Sequence, residues 1–315
     1  MRIQLTMFGK EVAARVADIE AGKLEPAASR DAATVVVLRS TGEPPEARGG
    51  YGGSPPREMS LDVAPDMMAP FAIGRDIQVL MLRRTARMKF APGAYVFPGG
   101  SVDPADYDAD AEWHGPSAEE FGVRLGATAE VARALVWAAI RETFEESGIL
   151  LAADSGDSPV TVPAGPSWDA DRLALVTGQL TMPELLARRD LVIRADLLVP
   201  WARWITPVGE ARRFDARFFA AVLPDGQQAV GHEAESDHVA WLRPASAVDA
   251  AKAGEISLLP PTASILHELA VATGTGRDLA GILGGPRVIE PVQPRMSLED
   301  GSVWLVIPDE VGCPL

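Results

Sequence analysis

The apolar positions along the chain keep two rhythms. Near-continuous, β-branched runs at 33–39 (ATVVVLR), 76–84 (DIQVLMLRR), 217–223 and 238–242 predict buried strands. Phe8, Val12, Val16 and Ile19 recur at three- and four-residue spacing and predict an amphipathic helix near the start. Thr128 offers an N-cap, Glu130 an acidic first turn and Gly148 a stop, so a long helix is predicted across 129–147. Shorter helices are expected at 169–177 and 182–189, and two more end at Gly254 and Gly274. The stretches 40–60 and 153–167 read as Gly/Pro loops, and Asp300-Gly301 as a turn before an apolar run at 302–307. Strands and helices mixed without regular βαβ alternation predict an α/β (α+β) fold, an α/β/α sandwich around a mixed β-sheet.

The 315 residues, 47% of them hydrophobic, suffice for a full core. The expected organisation is an N-terminal helical extension at 1–30, a principal domain at 31–275 with insertions near 40–60, 107–127 and 153–190, and a tail at 276–315 packed on it. A net charge of −15 argues against binding the backbone of a nucleic acid, which demands a basic field. The partner expected is a small molecule, with arginines or metal ions compensating any anionic group. The single cysteine, Cys313, excludes an internal disulfide and a cysteine-based metal site. With no apolar run near the roughly 20 residues of a membrane span and no signal-peptide pattern, the expectation is a cytoplasmic protein without membrane contact.

One charged run changes the picture. In RETFEESG (141–148), at about 100° per residue, Glu142, Glu145 and Glu146 share one arc of the predicted helix while Trp137, Ile140 and Phe144 point away. Three carboxylates that close repel one another, which calls for a cation among them. Arg141 stands at the edge of the cluster, and hard divalent ions take such oxygen ligands together with substrate phosphates. Ala138 and Ala139, further back, suggest room for a ligand. Upstream, YVFPGG (95–100) reads as a strand entering a Pro-Gly-Gly turn, where Gly99 and Gly100 permit close approach of backbone to a ligand.

Together these pieces resemble the Nudix hydrolase signature, G-x5-E-x7-R-E-U-x-E-E-x-G-U with U apolar. Gly100 matches its first glycine; Arg141, Glu142, Glu145, Glu146, Gly148 and Ile149 match its second half. Asp106 stands at the first glutamate position, Thr143 at an apolar one, and 34 residues rather than seven separate Asp106 from Arg141. That interrupted motif is similar to the peroxisomal acyl-coenzyme A diphosphatase branch and its bacterial relatives, and the likeness runs on through most of the chain.

The resemblance implies that Glu142 and Glu146 are the principal ligands of Mg2+ or Mn2+, that Glu145 completes the metal site or acts as base, and that Arg141 orients a ligand glutamate. It implies cleavage of the diphosphate of coenzyme A or acyl-coenzyme A to 3′,5′-ADP and (acyl-)phosphopantetheine. ADP-ribose, NADH or another nucleoside diphosphate derivative is the alternative substrate, and a non-catalytic nucleotide-binding fold the alternative class. Arg83, Arg84, Arg87 and Lys89 form a basic cluster suited to the 3′-phosphate or pyrophosphate. Arg212 and Arg213 are a second such pair. Glu233 and Glu235 are candidates for a distal base. Trp204, Phe214 and Trp241 are expected in the core, the four histidines carry no zinc spacing, and no G-x-S-x-G elbow or phosphate loop is present. The insertions would shape a larger pocket or a homodimer contact.

Overall fold

The computed structural model describes residues 1–4, 9–41, 76–88, 91–109, 111–154, 163–232, 236–285, 287–300 and 302–315. Residues 42–75, which include 42–60 of the first predicted loop, residues 155–162, and Phe8, Lys89, Glu233, Glu235 and Gly301 lie outside the described residues.

A mixed sheet organises the chain. Its centre is β2 (Ser29–Thr41), running parallel to β9 (Arg213–Val222) through ten registered pairs from Ser29↔Arg213 to Leu38↔Val222. β8 (Val199–Ile205) continues the sheet antiparallel to β9, and β12 (Pro291–Val292) closes that side. On the other side β3 (Asp76–Arg84) meets β2 only over Leu38–Thr41 and then splays away.

Two short strands fill the split. β4 (Ala94–Val96) pairs with β3 at Leu82 and Arg83, while β5 (Gly99–Ser101) pairs with β2 at Ala32–Thr34. β10 (Ser236–Leu242) runs antiparallel to β3, and β11 (Ser257–Leu258) parallel to β4. The Pro-Gly-Gly segment is thereby driven into the middle of the sheet, where two strands part.

Alternation along the strands separates two apolar layers. Ala33, Val35, Val37, Leu80, Leu82 and Phe219 face α4 (Ala129–Ser147), together with Phe121 and Leu125 from α3 (Ala118–Leu125). Val36, Leu38, Val79, Met81, Phe218 and Ala220 face α8 (Pro260–Gly274) and α7 (Pro244–Lys252). The result is the expected α/β/α sandwich on a mixed sheet.

The α4 prediction matches at both ends: Thr128 Oγ1 accepts from the Val131 N–H at 3.2 Å, and Gly148 is left-handed at φ 70°. The helices predicted at 169–177 and 182–189 are α5 (Pro166–Val176) and α6 (Met182–Arg189). Within the stretch 107–127, α3 buries Phe121 and Leu125 in the core. One expectation is corrected. Ala138 and Ala139 leave no ligand space, because α4 is walled in on nearly every side and both are fully buried.

The first helix, α1 (Gly9–Glu20), packs Val12 and Val16 against Val303. Before it, β1 (Arg2–Gln4) pairs with β14 (Ser302–Val306), which is the middle strand between β1 and β13 (Arg295–Glu299). Among the described residues no helix is long and apolar enough to cross a membrane.

Candidate active site

The last two turns of α4 lie beneath β5. A Cβ on Gly100 would stand 2.5 Å from Glu142 Cδ and 2.7 Å from its Oε2, so only glycine lets the strand approach this carboxylate. The Gly99 N–H donates to Glu146 Oε2 at 2.9 Å. A Cβ there would stand 2.5 Å from Ala33 O and 2.6 Å from Thr34 Cα, which closes that position to larger residues through backbone.

Arg141 binds the group together. Its Nε and Nη2 donate to the two oxygens of Asp106 at 3.1 and 2.8 Å, and Nη2 also donates to Ser101 O at 3.0 Å. Nη1 reaches Glu142 Oε1 at 2.9 Å and Glu145 Oε2 at 3.5 Å. Burial works against the guanidinium charge, but the hydrogen bond to Asp106 and the charges of Glu142, Asp106 and Glu145 outweigh it and raise its pKa. Asp106, 3% exposed, also accepts the Asp103 N–H at 2.8 Å and so completes the capping of α2 (Pro104–Tyr107). The aspartate at the first glutamate position is thus the partner that fixes Arg141 bidentately. The next residue anchors α2 to the sheet: Tyr107 Oη lies 3.0 Å from Asp31 Oδ2, and Asp31 pairs with the buried Arg217 at 2.6 Å.

Thr143 departs from the apolar pattern without cost, since its hydroxyl donates to Ala139 O at 2.6 Å inside the helix. Ser147 does the same toward Thr143 O at 2.6 Å.

The carboxylates face protein donors rather than a common centre, and among the described residues no three His, Cys, Asp or Glu side chains form a ready-made metal cage. Their chemistry nonetheless suits a hard cation. Arg141 supplies one positive charge against Asp106, Glu142, Glu145 and Glu146, and the donors are all oxygens. Glu142 and Glu145 keep 13% and 14% of their side-chain surface in solvent, so ligand exchange is open to them.

Alternation decides the place of the basic cluster. Arg84 opens onto a crevice lined by Leu82, Val96, Glu146 and Ser236. Arg83 lies one residue earlier on the opposite face, paired with Asp237 at 2.6 Å. Arg87 is exposed in the turn after β3. Arg213 uses Nε and Nη1 on backbone carbonyls of Thr206 and Ala27 at 3.0 and 2.8 Å, which staples the strand ends, and Arg212 is exposed. Trp204 is in the core as expected, and Arg39 stacks 4.3 Å over Trp241.

Two contributors escaped the sequence reading. Arg172 of α5 donates from Nε to Glu145 O and from Nη2 to Val230 O, both at 2.8 Å. The Gln227 amide accepts from Leu150 N at 2.9 Å and donates to Leu150 O at 2.8 Å. Neither pairing has a local signal, because each partner lies tens of residues away.

Residues 124–269 match the family profile described as the NUDT19 Nudix domain. The chain is 31% identical over 236 residues to the acyl-coenzyme A diphosphatase NUDT19 of Gallus gallus, covering 63% of this chain and 62% of that protein. It is 30% identical over 230 residues to the Homo sapiens protein of that name, covering 58% of each. The chain therefore spans about three fifths of the length of these relatives. The crystal structure of a Nudix hydrolase from Alicyclobacillus acidocaldarius matches with a TM-score of 0.55 and 26% identity, over 78% of this chain and 93% of that one. A shared fold, the profile match across α4 and the arginine–glutamate cluster beneath a glycine strand agree in making this chain similar to the Nudix hydrolases.

Proposed function

We propose that the chain is a divalent-cation-dependent diphosphatase acting on coenzyme A or acyl-coenzyme A, releasing 3′,5′-ADP and (acyl-)phosphopantetheine. The observation that carries this reading is that Arg141 holds Glu142 and Glu145 and the Gly99 N–H holds Glu146, on a helix that falls within the match to the NUDT19 Nudix domain. The substrate assignment draws on the activity named for the curated relatives.

Glu142 and Glu146, one helical turn apart, would hold Mg2+ or Mn2+, with Glu145 as a further ligand or as base. Such a cation, when bound, neutralises diphosphate charge and acidifies water for in-line attack. Arg141 keeps Glu142 and Glu145 oriented while Asp106 keeps Arg141 in place. The Gly99 N–H fixes Glu146, which lines the crevice. Arg84, sharing that crevice with Glu146, is better placed than Arg83 to meet an anionic group of the substrate. Glu233 and Glu235 remain candidates for the base; parallel pH–rate profiles of their Gln variants and of Glu145→Gln identify it by loss of the acidic limb. The single cysteine suits a reducing compartment such as the cytoplasm.

The test is incubation with Mg2+ or Mn2+ and a panel of coenzyme A, acyl-coenzyme A, ADP-ribose, NADH and dinucleoside polyphosphates, with products identified by mass. Release of 3′,5′-ADP in preference to the other products is expected. Preferential cleavage of ADP-ribose or NADH overturns the substrate, and cation-independent or absent turnover overturns the diphosphatase reading itself.

A further inference from the structure

β10 lines one wall of the crevice through Ser236, its first residue, and the segment 227–232 ahead of it is tied to the end of α4 at several points. Gln227 pairs with both backbone groups of Leu150, and the Val230 N–H donates to Ser147 O at 2.7 Å. Further along, the Ser236 N–H donates to His232 O at 2.9 Å. Arg172 is the tie that touches both sides at once.

Its position answers a need of the helix. Glu145 O belongs to the last turn, where carbonyls lack the usual partner four residues on. The Ile149 N–H that would serve it donates instead to Ser147 Oγ at 3.3 Å. Arg172 Nε supplies the missing donor, and a cation at this terminus also suits the helix dipole.

The guanidinium is half-buried and has no carboxylate within 4.0 Å among the described residues, unlike Arg141, Arg189, Arg203 and Arg217. Burial lowers its pKa, and Asp169, Glu146 and Glu145 act against that. A desolvated charge satisfied by two backbone carbonyls and by the field of nearby carboxylates is costly to keep unless its placement serves something.

We propose that Arg172 is a positioning residue for hydrolysis: from α5 it locks the glutamate-bearing last turn of α4 to Val230, in the chain ahead of β10. The proposal rests on the diphosphatase reading above for its catalytic consequence, but not for the clamp. Arg172 need not touch substrate. Its two donors fix the spacing between Glu145 O and Val230 O and with it the seat of Glu145 and Glu146, and a misplacement of about 1 Å at such a site costs on the order of 100-fold in rate.

Arg172→Met keeps the stem volume and removes every donor, while Arg172→Lys keeps the charge but cannot form the fork to two carbonyls. The experiment compares both with wild type in three readouts: kcat and KM for the substrate chosen by the panel, the melting temperature, and hydrogen exchange of the segment 228–236 without substrate. The expected result is a fall in kcat of at least tenfold per folded enzyme in Arg172→Met, with KM within about threefold. Faster exchange at 228–236 and at most partial recovery of kcat in Arg172→Lys are also expected. Unchanged exchange, an unchanged kcat per folded enzyme, or a rise in KM alone overturns the proposal. Should wild type cleave nothing in the panel, the diphosphatase reading fails, and exchange at 228–236 still decides the clamp.

Discussion

Replacing Gly100 by alanine separates activity from folding. Gly100 does not adopt a positive φ, so the alanine backbone is unstrained there. The new methyl overlaps the Glu142 carboxylate, 2.5 Å from its Cδ and 2.7 Å from Oε2, and touches no backbone more closely. Relief to an ordinary contact of 3.4 Å or more requires the carboxylate to retreat by about 1 Å, which a glutamate side chain can do by torsion. The retreat draws Glu142 off Arg141 Nη1, now at 2.9 Å, and away from the place where it would hold a cation. A displacement of that size is worth about 100-fold in kcat/KM, or ~2.7 kcal/mol of transition-state stabilisation. The assay is steady-state release of nucleotide product under Mg2+, with thermal unfolding by circular dichroism in parallel. Gly99→Ala is the companion, because its methyl meets Ala33 O and Thr34 Cα, which cannot rotate aside, and there the melting temperature itself should drop. A Gly100→Ala enzyme within threefold of wild type in kcat/KM would refute the reasoning.

Glu146→Gln should lower hydrolysis at least about 100-fold with the melting curve preserved, since the amide still accepts the Gly99 N–H but loses the charge a cation requires; calorimetric Mn2+ affinity should fall with it. Arg141→Met removes the partner of the buried Asp106 and should cost about 3–5 kcal/mol in denaturant unfolding, far more than the same change at the exposed Arg212. Burial, then the charge of Asp31 and the bond to it, push the Tyr107 hydroxyl from 10.0 up to about 12. The folded protein therefore keeps a proton that the unfolded chain releases above pH 10, and stability should decline as pH rises from 10 to 12. Tyr107→Phe should flatten that alkaline decline, and an identical decline in the variant would contradict it.

What the sequence could tell followed the range of the interactions. The ends of α4 were readable because Thr128 and Gly148 act within four residues of themselves. The same holds for α6, where Thr181 and Glu184 cap one another. β8 was not readable, since WARWI mixes arginine and tryptophan and owes its extension to β9. β5 is a strand of two glycines and a serine, which local propensity disfavours; β2 on one side and Glu142 on the other hold it. β1 depends on partners some three hundred positions away. At the site, the glutamates were legible as a helical arc. The choice between Arg83 and Arg84 hung on strand parity, and Arg172 on a contact between α5 and α4 that no spacing announces.

The pair of Asp106 with Arg141 has a consequence for how this chain can change. Lengthening the connector between them from seven residues to 34 raises the entropy of closing it by only about 1.4 kcal/mol, because that penalty grows with the logarithm of length. Breaking the buried pair costs about 3–5 kcal/mol. The join between the two halves of the motif is therefore held by side chains more than by the length of chain between them. A change in the length of the connector can leave Arg141 seated on Asp106, so the borders of the site can be remodelled without renegotiating its glutamates.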